Sequence, residues 1–218
     1  MGSNVLTARI LGASNKGEIE KTVHTSVALA LVSGGVLAVV GFVVSPLLLG
    51  WMSTPETVLP LATLYLRIYF LGMPAMMLYN FGSAILRAIG DTRRPLYYLM
   101  ATGVLNVVLN LLFVIICKMS VAGVALATVI SQILSAFLII RCLTREDGEI
   151  RLNLRRIKID RTTLFKILQI GLPAGVQGTL FSLSNVFIQS SVNLFGDIVV
   201  AGNSAAGNLE GFVYIAMN

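Results

Sequence analysis

The side chains with chemical capacity in this chain sit inside apolar sequence, where they are costly to place. Glu210 lies in AAGNLEGFVY, close to Asn203, Gly207 and Asn208. A carboxylate there either carries a proton or holds a cationic substrate, or it only forms a hydrogen bond to a neighbouring helix. Asn106 and Asn110 are spaced four apart, which puts both on one face of a helix. The next apolar run carries Thr128, Ser131 and Gln132, and a later one carries Gln177, Thr179, Ser182, Ser184, Asn185 and Gln189. A single neutral polar group in a bundle is worth about 0.6 kcal/mol as an interhelical contact. The density of such groups in the later run points instead to a helix lining an aqueous cavity. Gln177, Ser182, Asn185 and Gln189, with Asn203 and Asn208, are therefore candidate substrate-binding residues. Arg67, nine residues or about 14 Å into its run, either faces a water-filled cavity or snorkels to the outer headgroups between Tyr65 and Tyr69. His24 opens the first full run and reads as an interfacial residue, with a proton relay as the alternative. The chain has no phosphate-binding loop, HExxH motif or Cys/His metal pattern. It is not expected to be an enzyme or to hold a cofactor. Any transport would draw its energy from an ion gradient or a separate subunit.

The elements that position these residues are long apolar runs. Hydrophobic residues make up 56% of the chain and charged ones 12%, about half the charge of an average soluble domain. With a mean hydropathy of +0.86, the chain reads as an all-α integral membrane protein. Six runs occur, at Thr22 to Gly50, Val58 to Leu86, Leu96 to Cys117, Met119 to Ile140, Leu164 to Phe195 and Ile198 to Asn218. Each meets the roughly 20 residues needed to span hydrocarbon, which predicts six transmembrane helices. Trp51 suits the interface at the far end of the first run. The net charge of +6 belongs to the corners, as a topology signal rather than a nucleic-acid surface. Arg9, Lys16 and Lys21 share one side with Arg87, Arg93 and Arg94 and with the basic segment from Arg141 to Lys166; the opposite side holds only Lys118. The basic side is expected to be cytoplasmic.

The stretch from Gly72 to Pro95 sets the theme of helix, tight basic corner, helix. Gly72 and Pro74 interrupt the second run softly. Gly90 suits a left-handed C-terminal position, Asp91 or Thr92 can cap the next helix, and Pro95 fits its first turn. The alternating stretch IRLNLRRIKID is expected to lie along the membrane surface. Cys117 and Cys142 flank one run and would lie about 35 Å apart, too far for a disulfide, so they read as free thiols. The segment from Met1 to Lys21 lacks the apolar core of a cleavable signal, and Leu6 breaks the myristoylation pattern. The segment reads as a polar entry that follows the tail of a helix outside the chain.

LRAIGDTRRP, NVVLN, GVALATVISQ, IGLPAGVQ and AGNSAAGNLEGFVY, in that order, resemble the multidrug and toxic compound extrusion (MATE) family, as does the entry segment ARILGASNKGEIEKTVHTS. The resemblance implies a secondary antiporter of the cell membrane, multi-pass, exporting organic and usually cationic compounds in exchange for Na⁺ or H⁺. It implies a twelve-helix fold in two lobes, of which this chain would hold helices three to eight. Residues 1–140 would then be the end of helix two and helices three to six of the N-lobe. Residues 141–163 would be a cytoplasmic basic linker, and 164–218 the first two helices of the C-lobe. The implied ion-coupling residues are Asn80, Asn106, Asn110 and Thr128; the helix-seven acid of some members is absent near Phe181 and Ser182, and we read Glu210, from its place in the next run, as its substitute. Asn110 stands where many members have Asp, so the implied site has one carboxylate fewer. The implied partners are the lipid bilayer, small organic cations and the missing helices, from the same protein or another subunit, and no nucleic acid. Two alternatives remain: a flippase for lipid-linked saccharides with the same broad fold, and a truncated, inactive membrane subunit.

Overall fold

The computed structural model describes residues 2–13, 16–51, 59–146, 150–154, 157–193, 202–203, 206–207 and 210–211. Among them are seven α-helices and no strand: α1 (Gly2–Gly12), α2 (Lys16–Trp51), α3 (Leu59–Leu71), α4 (Met73–Ala88), α5 (Arg93–Leu111), α6 (Ser120–Arg145) and α7 (Arg161–Asn193). A five-residue π turn, Leu112–Ile116, extends α5. Three helical segments, Gly17–Gly50, Arg93–Ile116 and Ser120–Arg145, are long and apolar enough to cross a membrane. A fourth span forms if α3 and α4 are taken together. The fifth run is the 33-residue α7, which has the length of a span but is not among these apolar segments. Its amides and hydroxyls explain the difference. Most of the sixth run lies outside the described residues. The chain divides into a unit of residues 1–171 and a unit of residues 172–218.

The second run is split more sharply than a soft interruption. α3 and α4 meet at a 44° bend. Pro74 has no N–H to continue the ladder, and its ring forces the preceding turn open. The Gly72 N–H instead donates to the Tyr69 carbonyl at 3.0 Å, and Met76 N–H donates to Gly72 O at 3.0 Å. The bend is packed closely from two sides. A Cβ on Gly34 of α2 would lie 2.6 Å from Pro74 Cα, and one on Gly72 would lie 2.8 Å from Gln132 Oε1 of α6.

The basic corner follows the sequence closely. Gly90 has φ +88°. Its N–H donates to Arg87 O, and that of Asp91 donates to Leu86 O, both at 3.0 Å. This pairing satisfies the last carbonyls of α4 in a Schellman-type stop. Asp91, rather than Thr92, caps α5: its Oδ1 accepts the Arg94 N–H at 3.1 Å, while Thr92 makes no side-chain cap. Arg94 also pairs through its guanidinium with Asp91 and with Glu146 at the end of α6. It is held by protein carboxylates rather than left to lipid headgroups.

The buried core lies at the end of the bundle that holds this corner. Leu6 and Ile10 of α1, Val23 and Val27 of α2, Ile85 and Leu86 of α4, Ile139 and Leu143 of α6 and Ile167 of α7 pack together there. Elsewhere α2, α5 and the π turn that extends α5 present large apolar side chains outward, such as Val39, Val43, Val104 and Ile116, as spans facing lipid do. The segment from Met1 to Lys21 is helical in its described part, and Leu6 and Ile10 bury one face of α1. The alternating stretch after α6 does not simply follow a surface, because Leu152 is only 2% exposed and joins the core. Both cysteines are free, Cys117 exposed and Cys142 buried.

Candidate functional site

The polar side chains of the first unit gather on the facing stripes of α5 and α6. On α5, Thr102, Asn106 and Asn110 recur every four residues and so share a face. Thr102 is buried, and Ser135 Oγ of α6 donates to its Oγ1 at 2.8 Å. That bond fixes the register of two antiparallel helices. Stepping four residues at a time, Asn106 stands level with Ser131, and Asn110 stands level with Ala127 and Thr128. Asn110 Nδ2 donates to Asn106 Oδ1 at 3.0 Å. Its own Oδ1 is buried and accepts nothing, and Ser131 Oγ is buried and likewise unpartnered. Each unmet polar atom costs about 1–3 kcal/mol in a low-dielectric interior. The stripe therefore presents oxygen acceptors that a cation can satisfy. Thr128 donates back to Val124 O at 3.0 Å, leaving its oxygen lone pairs available.

The other expected site residues are placed differently. Asn80 is on α4 and exposed. Gln177, Ser182 and Asn185 project from α7 and are exposed. Thr179 and Ser184 on the same helix donate to carbonyls four residues back, at 3.0 Å each, and so are spent locally. Asn203 and Glu210 are exposed at described positions. Asn208 and the side chain of Gln189 lie outside the described residues, as do the side chain of Trp51 and the corner at residues 52–58.

Three residues take roles the sequence did not disclose. Arg67 does not thread between Tyr65 and Tyr69. Those rings stack on each other at 6.2 Å, and the Arg67 guanidinium lies 5.1 Å from the centroid of the Phe42 ring on α2. Its Nε is buried without a hydrogen-bond partner. His24 is 4% exposed and hydrogen-bonded through both ring nitrogens. Gln132 packs against the backbone of Gly72, within the α3–α4 bend. The signal that reveals the α5–α6 stripe is in the sequence. Thr102 extends the Asn106–Asn110 spacing by one more turn, and Ser135 extends that of Thr128 and Ser131.

The family profile MatE matches residues 1–112, just over half of the chain. The chain belongs to this family, the MATE transporters, and not to an enzyme class. It is 32% identical over 223 residues to the probable multidrug resistance protein YoeA of Bacillus subtilis, an alignment covering 97% of this chain and 47% of the relative. It is 38% identical over 174 residues to the probable multidrug resistance protein YpnP of the same organism, covering 79% of this chain and 38% of the relative. Its structure superposes on the outward-facing conformation of a multidrug resistance MATE family transporter with a TM-score of 0.87 and 26% identity, covering 99% of this chain and 49% of the other. The chain spans about half or less of the length of the curated relatives it matches. It is an all-helical integral membrane protein of the MATE fold.

Proposed function

We propose that this chain forms part of a secondary antiporter of the cell membrane that exports organic cations in exchange for Na⁺ or H⁺. The observation that carries the reading is the hydrogen-bonded Asn106–Asn110 pair on a membrane span, with Asn110 Oδ1 buried and unpartnered. An unpaired acceptor at that depth is costly unless a cation visits it. Ser131 and Thr128 bring further oxygens to the same level of the facing helix. Asn80 and Glu210 are the remaining candidates for coupling. Gln177, Ser182, Asn185, Gln189, Asn203 and Asn208 are the candidates for contact with substrate. Similarity to proteins described as probable multidrug resistance proteins supports multidrug export as the activity. The lipid bilayer and the helices that complete the family's fold are the partners this reading requires, and no cofactor enters it. The test is efflux of a cationic dye from vesicles under an imposed Na⁺ or H⁺ gradient, with Asn110→Leu and Glu210→Gln beside the parent. Loss of gradient-driven efflux in a variant that still reaches the membrane supports coupling at that residue. Efflux equal to the parent's removes the residue from the mechanism.

A further inference from the structure

Among the described residues between α6 and α7, three backbone donors tie the segment down as a strap, one to α6 and two to α2. Leu152 N–H donates to Leu143 O of α6 at 2.9 Å, with its side chain buried in the core. Asn153 N–H donates to His24 Nε2 at 3.1 Å. Asp160 N–H donates to Thr25 Oγ1, also at 3.1 Å. Neighbouring residues of α2 thus hold both the middle and the end of the strap. Asp160 then starts α7, its Oδ2 accepting the N–H and the hydroxyl of Thr163 at 2.8 and 2.7 Å.

The histidine contact admits one protonation state. His24 Nδ1 lies 2.8 Å from the Glu20 carbonyl oxygen. A carbonyl only accepts, so Nδ1 carries the hydrogen. Nε2 faces a backbone N–H and must offer its lone pair. Only the neutral imidazole satisfies both. A second proton on Nε2 would set two donors against each other and break the contact with Asn153. The side chain is buried, so water cannot replace what is lost without opening the site.

Charged groups surround this point from both sides. Glu20 and Lys21 of α2 face Lys158 and Asp160 of the strap across a cleft that His24 lines with Gly17 and Ile159. Further along, Lys166 of α7 lies 3.6 Å from Glu18 of α2. Arg151 lines the other side of the strap with Thr144 and Leu154. Imidazole is the side-chain type whose ordinary charge change falls between about pH 5 and 8.

We propose that His24 is a pH-sensitive latch: its neutral ring holds residues 150–154 and 157–160 against α2, and protonation releases them and loosens the anchorage of the first turn of α7. The inference concerns regulation and does not depend on the transport reading. Hydrogen exchange of the Asn153 amide in the full chain, corrected for the intrinsic pH dependence, tests it. In the parent, protection falls roughly tenfold as the pH is lowered from about 7.5 to about 5.5. In His24→Gln, whose amide can both donate to Glu20 O and accept from Asn153, protection stays high and flat. In His24→Phe it is low and flat. Flat protection in the parent, or an equal fall in His24→Gln, overturns the proposal. If His24→Phe does not fold, the comparison of the parent with His24→Gln decides alone.

Discussion

Adjacent glycines of α2 separate close packing from helix propensity. Gly34 is buried against the α3–α4 bend, and an added Cβ would meet Pro74 Cα at 2.6 Å, Pro74 N at 3.1 Å and Met73 O at 3.3 Å. Carbon atoms rest about 3.5–4.0 Å apart, so Gly34→Ala must push the backbone of α4 away by about 1 Å. The obstacle is main chain beside a proline, which cannot swing aside as a side chain can. Gly35 has nothing within 4 Å of its added Cβ. Both substitutions gain the same helix propensity, at most about 1 kcal/mol, and this cancels in the comparison. The difference that remains is the overpacking term, about 1–3 kcal/mol. Gly35→Ala should therefore be neutral or stabilising, and Gly34→Ala less stable than Gly35→Ala by that amount. Reversible unfolding in mixed micelles, titrated with a denaturing detergent, measures the gap. Equal stability of the two variants would refute the close approach of α2 to the bend.

Other outcomes follow from the corners. Lys118 holds φ +53°, a left-handed conformation that costs a non-glycine residue about 1 kcal/mol, so Lys118→Gly should stabilise by up to that amount in the same titration. At the basic corner, partial burial raises the Asp91 carboxyl, but the Arg94 N–H and guanidinium outweigh it and hold it below the usual carboxylate range. A lowered folded value contributes stability above the ordinary carboxylate range that is lost as pH falls through it. Stability measured below about pH 4 should then fall less in Asp91→Asn than in the parent. Arg94 is 45% exposed, so the effect should stay under about 1 kcal/mol.

The local features were legible because local rules govern them. Gly90 takes the left-handed position, Pro74 breaks the ladder, and Asn106 and Asn110 share a face because of their spacing alone. Long apolar runs gave the membrane class and the all-α fold. What the sequence did not reveal depends on residues far apart in the chain. The role of His24 is set by Asn153, 129 positions later. The burial of Leu152 depends on the core it joins, built from α1, α2, α4, α6 and α7, and no periodicity of the strap reports that. The sequence locates the break but not its 44° angle, and the close approach of Gly34 and Gln132 to the bend comes from other helices. Arg67 found a ring on another helix, which side-chain type could not indicate. The exposure of Gln177, Ser182 and Asn185 was equally beyond the pattern, since a run of amides gives no direction for the partner surface.

The measurement that bears most directly on the account is gradient-driven efflux of a cationic dye such as ethidium, from vesicles carrying the polypeptide in its native length. The account predicts dye movement opposite to an imposed Na⁺ or H⁺ gradient, abolished when the gradient is collapsed and absent in Asn110→Leu. The same dye level in vesicles with and without the protein, under either gradient and with the protein inserted, would contradict it.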